Sequence, residues 1–385
     1  EEQAGPAEPA VREMGLRAVA SAVQENNPTV QALRENAESI EESGSLAGAS
    51  GGSGSVSPID ILNAQIQGLE QAMQGLDTES DLYKTYAVQK SLLEAQVEEL
   101  EGSLSSSMAQ GEMALLQLGD AAYQVRRQAD NIEGQLAQTA QTLLITIQNL
   151  KYNRGQLERQ LASLDRTIDV AEVQLSIGMI SQYQMDLYRN QRDNLARTID
   201  TLQTQCESLG SSIALLCGYD ADTVVMPSTL APVYDSQLRE MSYEDDLELA
   251  KQNSFSIWQK RSELRQAQNA YDEDISGTDY AVQSAKDALA AEQQAVESSF
   301  GTIFQGVADS RAALDAARTA EQQAELDFRT SQVQYSRGMI SELAYRQAQD
   351  TLENAKDAVE IAQLNLTSAY NQYEWAKQGV MTTAA

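Results

Sequence analysis

Apolar positions in this chain recur in steps of four and three, the spacing that lays one stripe along an α-helix. The strongest run passes through Leu118, Ala122, Val125, Ala129, Ile132, Leu136, Ala140, Leu143, Ile147 and Leu150 to Leu157, Leu161, Leu164, Ile168, Ala171 and Leu175. Arg154 alone breaks the apolar series, and the four-four step Ile132-Leu136-Ala140 acts as a stutter that locally unwinds a supercoil. No proline lies between Pro58 and Pro227. The spacing predicts one helix from about Ser107 to Ile177, on the order of 100 Å long. Such a strut cannot cover its own stripe and needs neighbours. A returning stripe follows through Leu195, Ile199, Leu202, Cys206, Leu209, Ile213 and Leu216, ending at Gly218, a natural helix stop.

The break between the two stripes, Ser176-Ile177-Gly178-Met179-Ile180-Ser181, recurs as Ser336-Arg337-Gly338-Met339-Ile340-Ser341. Leu187-Tyr188-Arg189 and Ala344-Tyr345-Arg346 follow the two copies, and then Asp193-Asn194-Leu195 and Asp350-Thr351-Leu352. The pattern predicts a duplicated helical hairpin with a Gly-Met turn. Residues 1–11 read as a flexible tail, 12–218 as the first hairpin repeat, 219–241 as an extended connector, 242–379 as the second repeat and 380–385 as a C-terminal tail. The first repeat contains a Gly/Ser linker at 43–58, with Ser57-Pro58 as a helix start after it. An extra block at 59–102 reads as two shorter helices joined near Gly75-Leu76-Asp77. The second repeat has a short turn at Asp272–Tyr280, with Thr278 as a helix cap. An asparagine followed by an amphipathic run opens both repeats, at Asn26-Asn27 and Asn253.

The 385 residues include only four Phe and two Trp, which suits long helices with small-residue seams better than a bulky globular core. A net charge of −30 argues against nucleic-acid or anionic-membrane partners and, for a pore lined by it, favours cations. No segment reaches the ~18 to 20 apolar residues of a spanning helix. A chain starting at Glu1 fits removal of a signal peptide, so an exported, extracytoplasmic protein is expected. Cys206 and Cys217 lie eleven residues apart on one helix, about 16 Å, too far for a disulfide. Cys206 falls on the stripe as a small core residue.

Catalysis has little to work with. The chain has no histidine, no phosphate-binding glycine loop and no dinucleotide fingerprint. Glu98-Glu99, Asp245-Asp246 and Asp272-Asp274 read as solvated faces or loop ends, and Tyr152, Tyr183, Tyr188 and Tyr345 as helix-packing residues. No enzyme activity, cofactor or metal is expected.

The hairpin tips resemble those of the TolC-type outer-membrane efflux proteins. The matching runs are Leu175–Ser181 and Tyr335–Ser341, with Ala22–Leu33 similar to that family's opening helix. Leu216-Cys217-Gly218 and Gln378-Gly379 stand where the family closes each repeat, and the likeness is best over 142–218 and 297–379. The resemblance implies a homotrimer whose twelve helices form a tunnel, working with a periplasmic-type adaptor and an inner-membrane pump. It places adaptor docking on Gly178, Met179, Gly338 and Met339. The bland reading of those glycines is a positive φ at a tight turn.

Two departures from the family bear on this. The Gly/Ser linker and the Asp272–Tyr280 turn stand where members carry paired barrel strands, and neither has two strands of the ~9 to 11 residues a membrane barrel needs. Ala344 and Gln347 replace the aspartates that narrow the family's pore, leaving Glu342 and Asp186 nearby. The expectation is an all-α, TolC-like passive conduit without a β-barrel and without autonomous membrane insertion. The rival is a coiled-coil spacer or surface scaffold with no lumen. A tunnel helix needs two packed flanks, a two-stranded rod only one; Leu116, Leu144, Ile145 and Val173 beside the main stripe favour the tunnel.

Overall fold

The computed structural model describes residues 10–47, 66–67, 70, 87, 90–91, 94, 111–220, 222–271 and 277–381, with the side chains of 41–47 and 111–120 excepted. The elements, in chain order, are β1 (Ala10–Met14), α1 (Leu16–Asn26), α2 (Pro28–Ala47), α3 (Gly111–Ser176), α4 (Gln182–Leu216), β2 (Thr223–Pro227), α5 (Asp235–Arg239), α6 (Tyr243–Asn253), α7 (Phe255–Asn269), α8 (Thr278–Ser336) and α9 (Glu342–Lys377). Among the described residues the fold is all-α apart from one parallel two-stranded ladder pairing Ala10 with Thr223 through Met14 with Pro227. No closed β-barrel is present among the described residues.

Several sequence boundaries move. Ala10 and Val11, read as tail, belong to β1, whose pairing to β2 supplies the order that composition does not show. The connector is not simply extended: Val224-Val225 sit in β2, and Asp235–Arg239 forms a helical turn. Helix α2 continues to Ala47, into the stretch read as a linker from residue 43. The rest of that linker, with Ser57-Pro58, lies outside the described residues, as does most of the 59–102 block, of which residues 66–67, 70, 87, 90–91 and 94 are helical. Thr278 is not a cap but the first residue of α8; Gly277, at φ 103°, takes the cap position.

The described residues fall into two compact units, with α3 contributing to both. One comprises Arg17–Ala140 and Ala214–Asp220. Its core takes Val19 and Val23 from α1, and Val30, Leu33, Ala37 and Ile40 from α2 in three-four steps. Ala37 and Ile40 pack with Ala122 and Val125 of α3, and Ala129, Ile132 and Leu136 are buried along the same stripe. The stripe read from sequence thus becomes the buried face.

The other unit comprises Glu1–Leu16, Gln141–Ile213 and Ala221–Ala385. Leu247 and Ala250 of α6, Phe300, Val307 and Leu314 of α8, and Ala362, Leu366, Tyr373 and Ala376 of α9 make its largest buried cluster. Tyr373 donates its hydroxyl to Asp246, which also accepts the Ser242 backbone N–H at 2.8 Å. At Gly210 a Cβ would stand 2.6 Å from Val224 Cγ1 and 2.7 Å from the Val225 carbonyl, so α4 rests directly on β2.

Each repeat closes in the same way. Gly218 (φ 69°) donates its N–H to the Leu215 carbonyl and Tyr219 to Ala214; Gly379 (φ 83°) donates to Ala376 and Val380 to Trp375. Both are Schellman stops, needing glycine for a left-handed backbone. Both glycines also touch the opening of their own repeat. A Cβ at Gly218 would lie 2.2 Å from the Asn26 carbonyl oxygen, and one at Gly379 would lie 2.4 Å from the Asn253 carbonyl carbon. Asn27 Nδ2 donates to the Leu216 carbonyl (2.8 Å) while its Oδ1 caps α2 through Thr29 and Val30. In the second repeat the tasks divide: Asn253 Nδ2 donates to the Lys377 carbonyl (2.9 Å), and Ser254 Oγ caps α7 at Ile257.

Two predictions follow from these contacts. Gly338→Ala should cost about 1–2 kcal/mol for its left-handed backbone alone, because nothing lies within 4 Å of a Cβ there. Gly379→Ala should lose several times more in guanidinium melts, and equal losses at the two sites would contradict the backbone contact. Burial also pushes the Cys217 thiol up to about 11 from 9.0. The Tyr370 and Tyr373 phenols rise for the same reason, helped by hydrogen bonds with Glu374 and Asp246 respectively. Above about pH 9 the unfolded chain sheds protons that the folded chain keeps, so stability falls as pH rises. The melting temperature should therefore decline from pH 9 towards 11, and Cys217→Ala should shrink the earliest part of that decline, with the Cys206 thiol, also raised by burial, keeping the remainder.

Candidate functional site

The two hairpin tips share one hydrogen-bond pattern. In the first, Gly178 donates its N–H to the Leu175 carbonyl (3.0 Å) and Met179 to Gln174 (2.8 Å). In the second, Gly338 donates to Tyr335 (2.9 Å) and Met339 to Gln334 (2.8 Å). Gly178 sits at φ 75° and Gly338 at φ 69°, each in open space. The returning helices start alike: Ser181 Oγ accepts from Gln184 N–H and Ser341 Oγ from Ala344 N–H, both at 3.2 Å. A Schellman stop followed by a serine cap thus turns the chain through the same geometry twice. The repeated Gly-Met-Ile-Ser is the sequence of that turn.

The turn geometry does not require the methionines to be where they are. Met179 and Met339 are 69% and 68% exposed. Ile177, Tyr183 and Leu187 are exposed beside the first tip, and Val333 and Tyr335 beside the second. Behind the tips the two hairpins differ. Met185 is fully buried in the first, whereas Tyr345 stacks on Tyr335 in the second, centroids 4.7 Å apart, with Phe328 at 5.5 Å. Of the tyrosines read as packing residues, Tyr345 packs in this stack, while Tyr183 stands 72% exposed.

The helices behind the tips form a row. Arg189 pairs with Glu172 and Arg192 with Asp165, joining α4 to α3. On the other flank of α3, Arg159 pairs with Asp357 and also donates to Asn354, and Arg166 pairs with Asp350, joining α3 to α9. Tyr152 lies 3.5 Å from Glu360; burial first, then this carboxylate, raises its phenol above the ordinary range. Helix α9 packs on α8 through the Phe300, Val307, Leu314, Leu352 and Leu366 side. The order α4–α3–α9–α8 gives α3 and α9 two packed flanks each. Arg159 and Arg166 are seven residues apart, as are Asp350 and Asp357. That complementary heptad spacing was the available signal, and reading the seams for apolar residues alone passed over it.

Cys206 and Cys217 are buried free thiols. Among the described residues no group of acids or cysteines could hold a metal ion, and no helix is long and apolar enough to cross a membrane.

No family model and no curated protein sequence matches the chain. Solved structures do match it. The Campylobacter jejuni CmeC outer membrane channel aligns over 96% of this chain and 87% of its own, at 12% identity and a TM-score of 0.51. The outer membrane protein VceC of Vibrio cholerae aligns over 95% and 96%, at 11% identity and 0.52. CusC, whose structures describe transmembrane channel formation, gives the same values. The resemblance carried by the Gly-Met tips therefore holds at the level of architecture, and the chain has the helical-hairpin fold of the TolC-type outer-membrane channels.

Proposed function

We propose that this protein is the tunnel component of an efflux or secretion assembly. Three copies close into a ring of twelve helices, and the chain acts as a passive conduit in the cell envelope while a separate inner-membrane pump supplies the energy. The observation that carries this reading is the pair of packed flanks on α3 and on α9. A two-stranded spacer needs one seam per helix, whereas a wall needs two. The row's outer members supply a further argument. On α8, Leu326 and Val333 are exposed on the flank away from α9, and on α4 Leu187 and Leu215 are exposed away from α3. Closing the row on further copies would cover them. The fold shared with the outer membrane channel CmeC agrees with a tunnel.

The tips Gly178-Met179 and Gly338-Met339 are the docking points for an adaptor in this reading. Two exposed thioether side chains at the end of an acidic strut carry a solvation cost unless a partner covers them. Methionine is a pliable contact residue suited to that task. The coiled-coil spacer is the second reading, favoured only if the chain remains single.

Light scattering should give a mass of three chains; a stable monomer at high concentration would leave the spacer as the better account. Changing Met179 and Met339 together to Asp should leave helicity and the trimer intact while abolishing adaptor binding or export. Normal export by the double variant, or loss of export through dissociation of the trimer, would reduce the turns to architecture.

A further inference from the structure

The side chains between the two flanks of each helix are not alike on both sides. On α3 the apolar stripe Leu157, Leu161, Leu164 and Ile168 faces α4, and Arg159 and Arg166 face α9. Between these flanks, on one side, lie Glu158, Asp165 and Glu172, the last two paired to α4. On the opposite side, at steps of seven, lie Asn153, Gln160 and Thr167, with no charge. Helix α9 repeats the contrast: Glu353, Lys356 and Glu360 on one side, and exposed Thr351, Ala358 and Asn365 on the other. In adjacent antiparallel helices with this register the charged sides coincide, and so do the neutral ones. On α4, exposed Gln191 and Thr198 oppose Asp193 and Asp200; on α8, exposed Ala313 and Ala320 oppose Arg311 and Arg318. Asp327 is the one charge at a neutral-side position between Asn153 and Asn365 of this row.

The two sides of α9 also differ in width. On α9 the neutral side holds one position per seven between the flanks, that of Thr351, Ala358 and Asn365, and the charged side holds two, those of Glu353 with Glu360 and of Lys356; on α3 each side holds two. In any closed ring of helices, the two seams of a helix are separated by less than half a turn on the lumen side and by more than half a turn on the outside. The narrower side is the inner one.

We propose that the neutral face lines the lumen of the tunnel and that the conduit does not sort its cargo by charge. This inference rests on the tunnel reading above. Threonine, glutamine and asparagine wet the wall without setting up a field, and small residues on α8 and α9 keep it smooth. The acidity of the chain is carried on the outside, where it favours solubility instead of drawing cations inward. The net charge of −30 would favour cations only in a pore lined by it, and in this reading the lining is neutral. The cargo class that suits such a wall is small neutral or amphipathic solutes, with ions passing without preference of sign.

Single cysteines test this in the assembled protein, with the unaltered chain, whose two thiols are buried, as the blank. Gln160→Cys and Thr351→Cys probe the neutral side; Asp200→Cys and Arg318→Cys probe the charged side. Circular dichroism and mass first establish that each variant folds and assembles. The neutral-side cysteines should react with small thiosulfonates but lose reaction with a bulky polyethylene-glycol maleimide, which the charged-side cysteines keep. Their rates with cationic and anionic thiosulfonates should hold a ratio constant within about twofold between low and high salt. Reversed protection, with the charged side shielded, would overturn the inference while leaving the tunnel standing. So would a cationic reagent that gains on the anionic one at low salt. Bulky labelling of all four positions would remove the tunnel itself, and the lumen with it.

Discussion

Every helix in the interior of this row has to satisfy two neighbours at once, and most of the sequence can be understood from that constraint. A helix with one apolar stripe can cover it with one partner and is then finished. Helices α3 and α9 are not finished by their own hairpins. Each spends its apolar stripe on its hairpin mate and meets the other hairpin through a second line of contacts. That second line is ionic. Arg159 and Arg166 against Asp357 and Asp350 sit partly buried, where the pairing is less screened than on an open surface. Within a hairpin the joint depends on hydrophobic burial; between hairpins it depends on matched charges at the same heptad spacing. The first kind tolerates sliding poorly because of volume, the second because of sign.

The tips and the closing glycines were legible because backbone demands write themselves into residue type. A left-handed turn asks for glycine, and a helix start asks for serine, so Gly-Met-Ile-Ser marked both reversals in advance. The long stripes were legible because periodicity survives substitution. The ladder of β1 with β2 was not, since five residues reading Ala-Val-Arg-Glu-Met have no alternation strong enough to separate a strand from a tail. What makes them a strand is the register offered by Thr223–Pro227, more than two hundred residues away. The cap before α8 was misplaced by one residue for a similar reason. Thr278 has the better capping side chain, but the positive φ falls at Gly277. The neutral face behind the tips escaped a one-dimensional reading because uncharged polar and small residues carry no periodic signal of their own, and it becomes visible once both flanks of a helix are known.

Duplication has preserved geometry more strictly than chemistry. The two tips agree in every hydrogen bond described, yet a buried Met185 backs one and a stack of Phe328, Tyr345 and Tyr335 backs the other. At the opposite ends, one asparagine in the first repeat does what an asparagine and a serine share in the second. Such substitutions are invisible to residue-by-residue identity but plain when the partner of each donor is followed.

Helix α4 has 35 residues and helix α9 has 36. The apolar register of the two agrees from the tips as far as Ile213 and Tyr373, so the additional residue is taken up in the final turn. One added residue turns the end of a helix by about 100° and lifts it by about 1.5 Å. The carbonyl that receives the asparagine amide is accordingly the next one along, Lys377 in place of the counterpart of Leu216. Its donor has moved the other way, from the residue after the opening helix to that helix's last residue. The backbone contact has not shifted with it: each closing glycine still meets the last residue of its opening helix, Asn26 or Asn253, and the accepting carbonyl still lies two residues before that glycine. The stop glycine is thus the reference point of this end, and a helix can gain a residue ahead of it as long as the glycine stays seated and an asparagine amide reaches the carbonyl two residues before it.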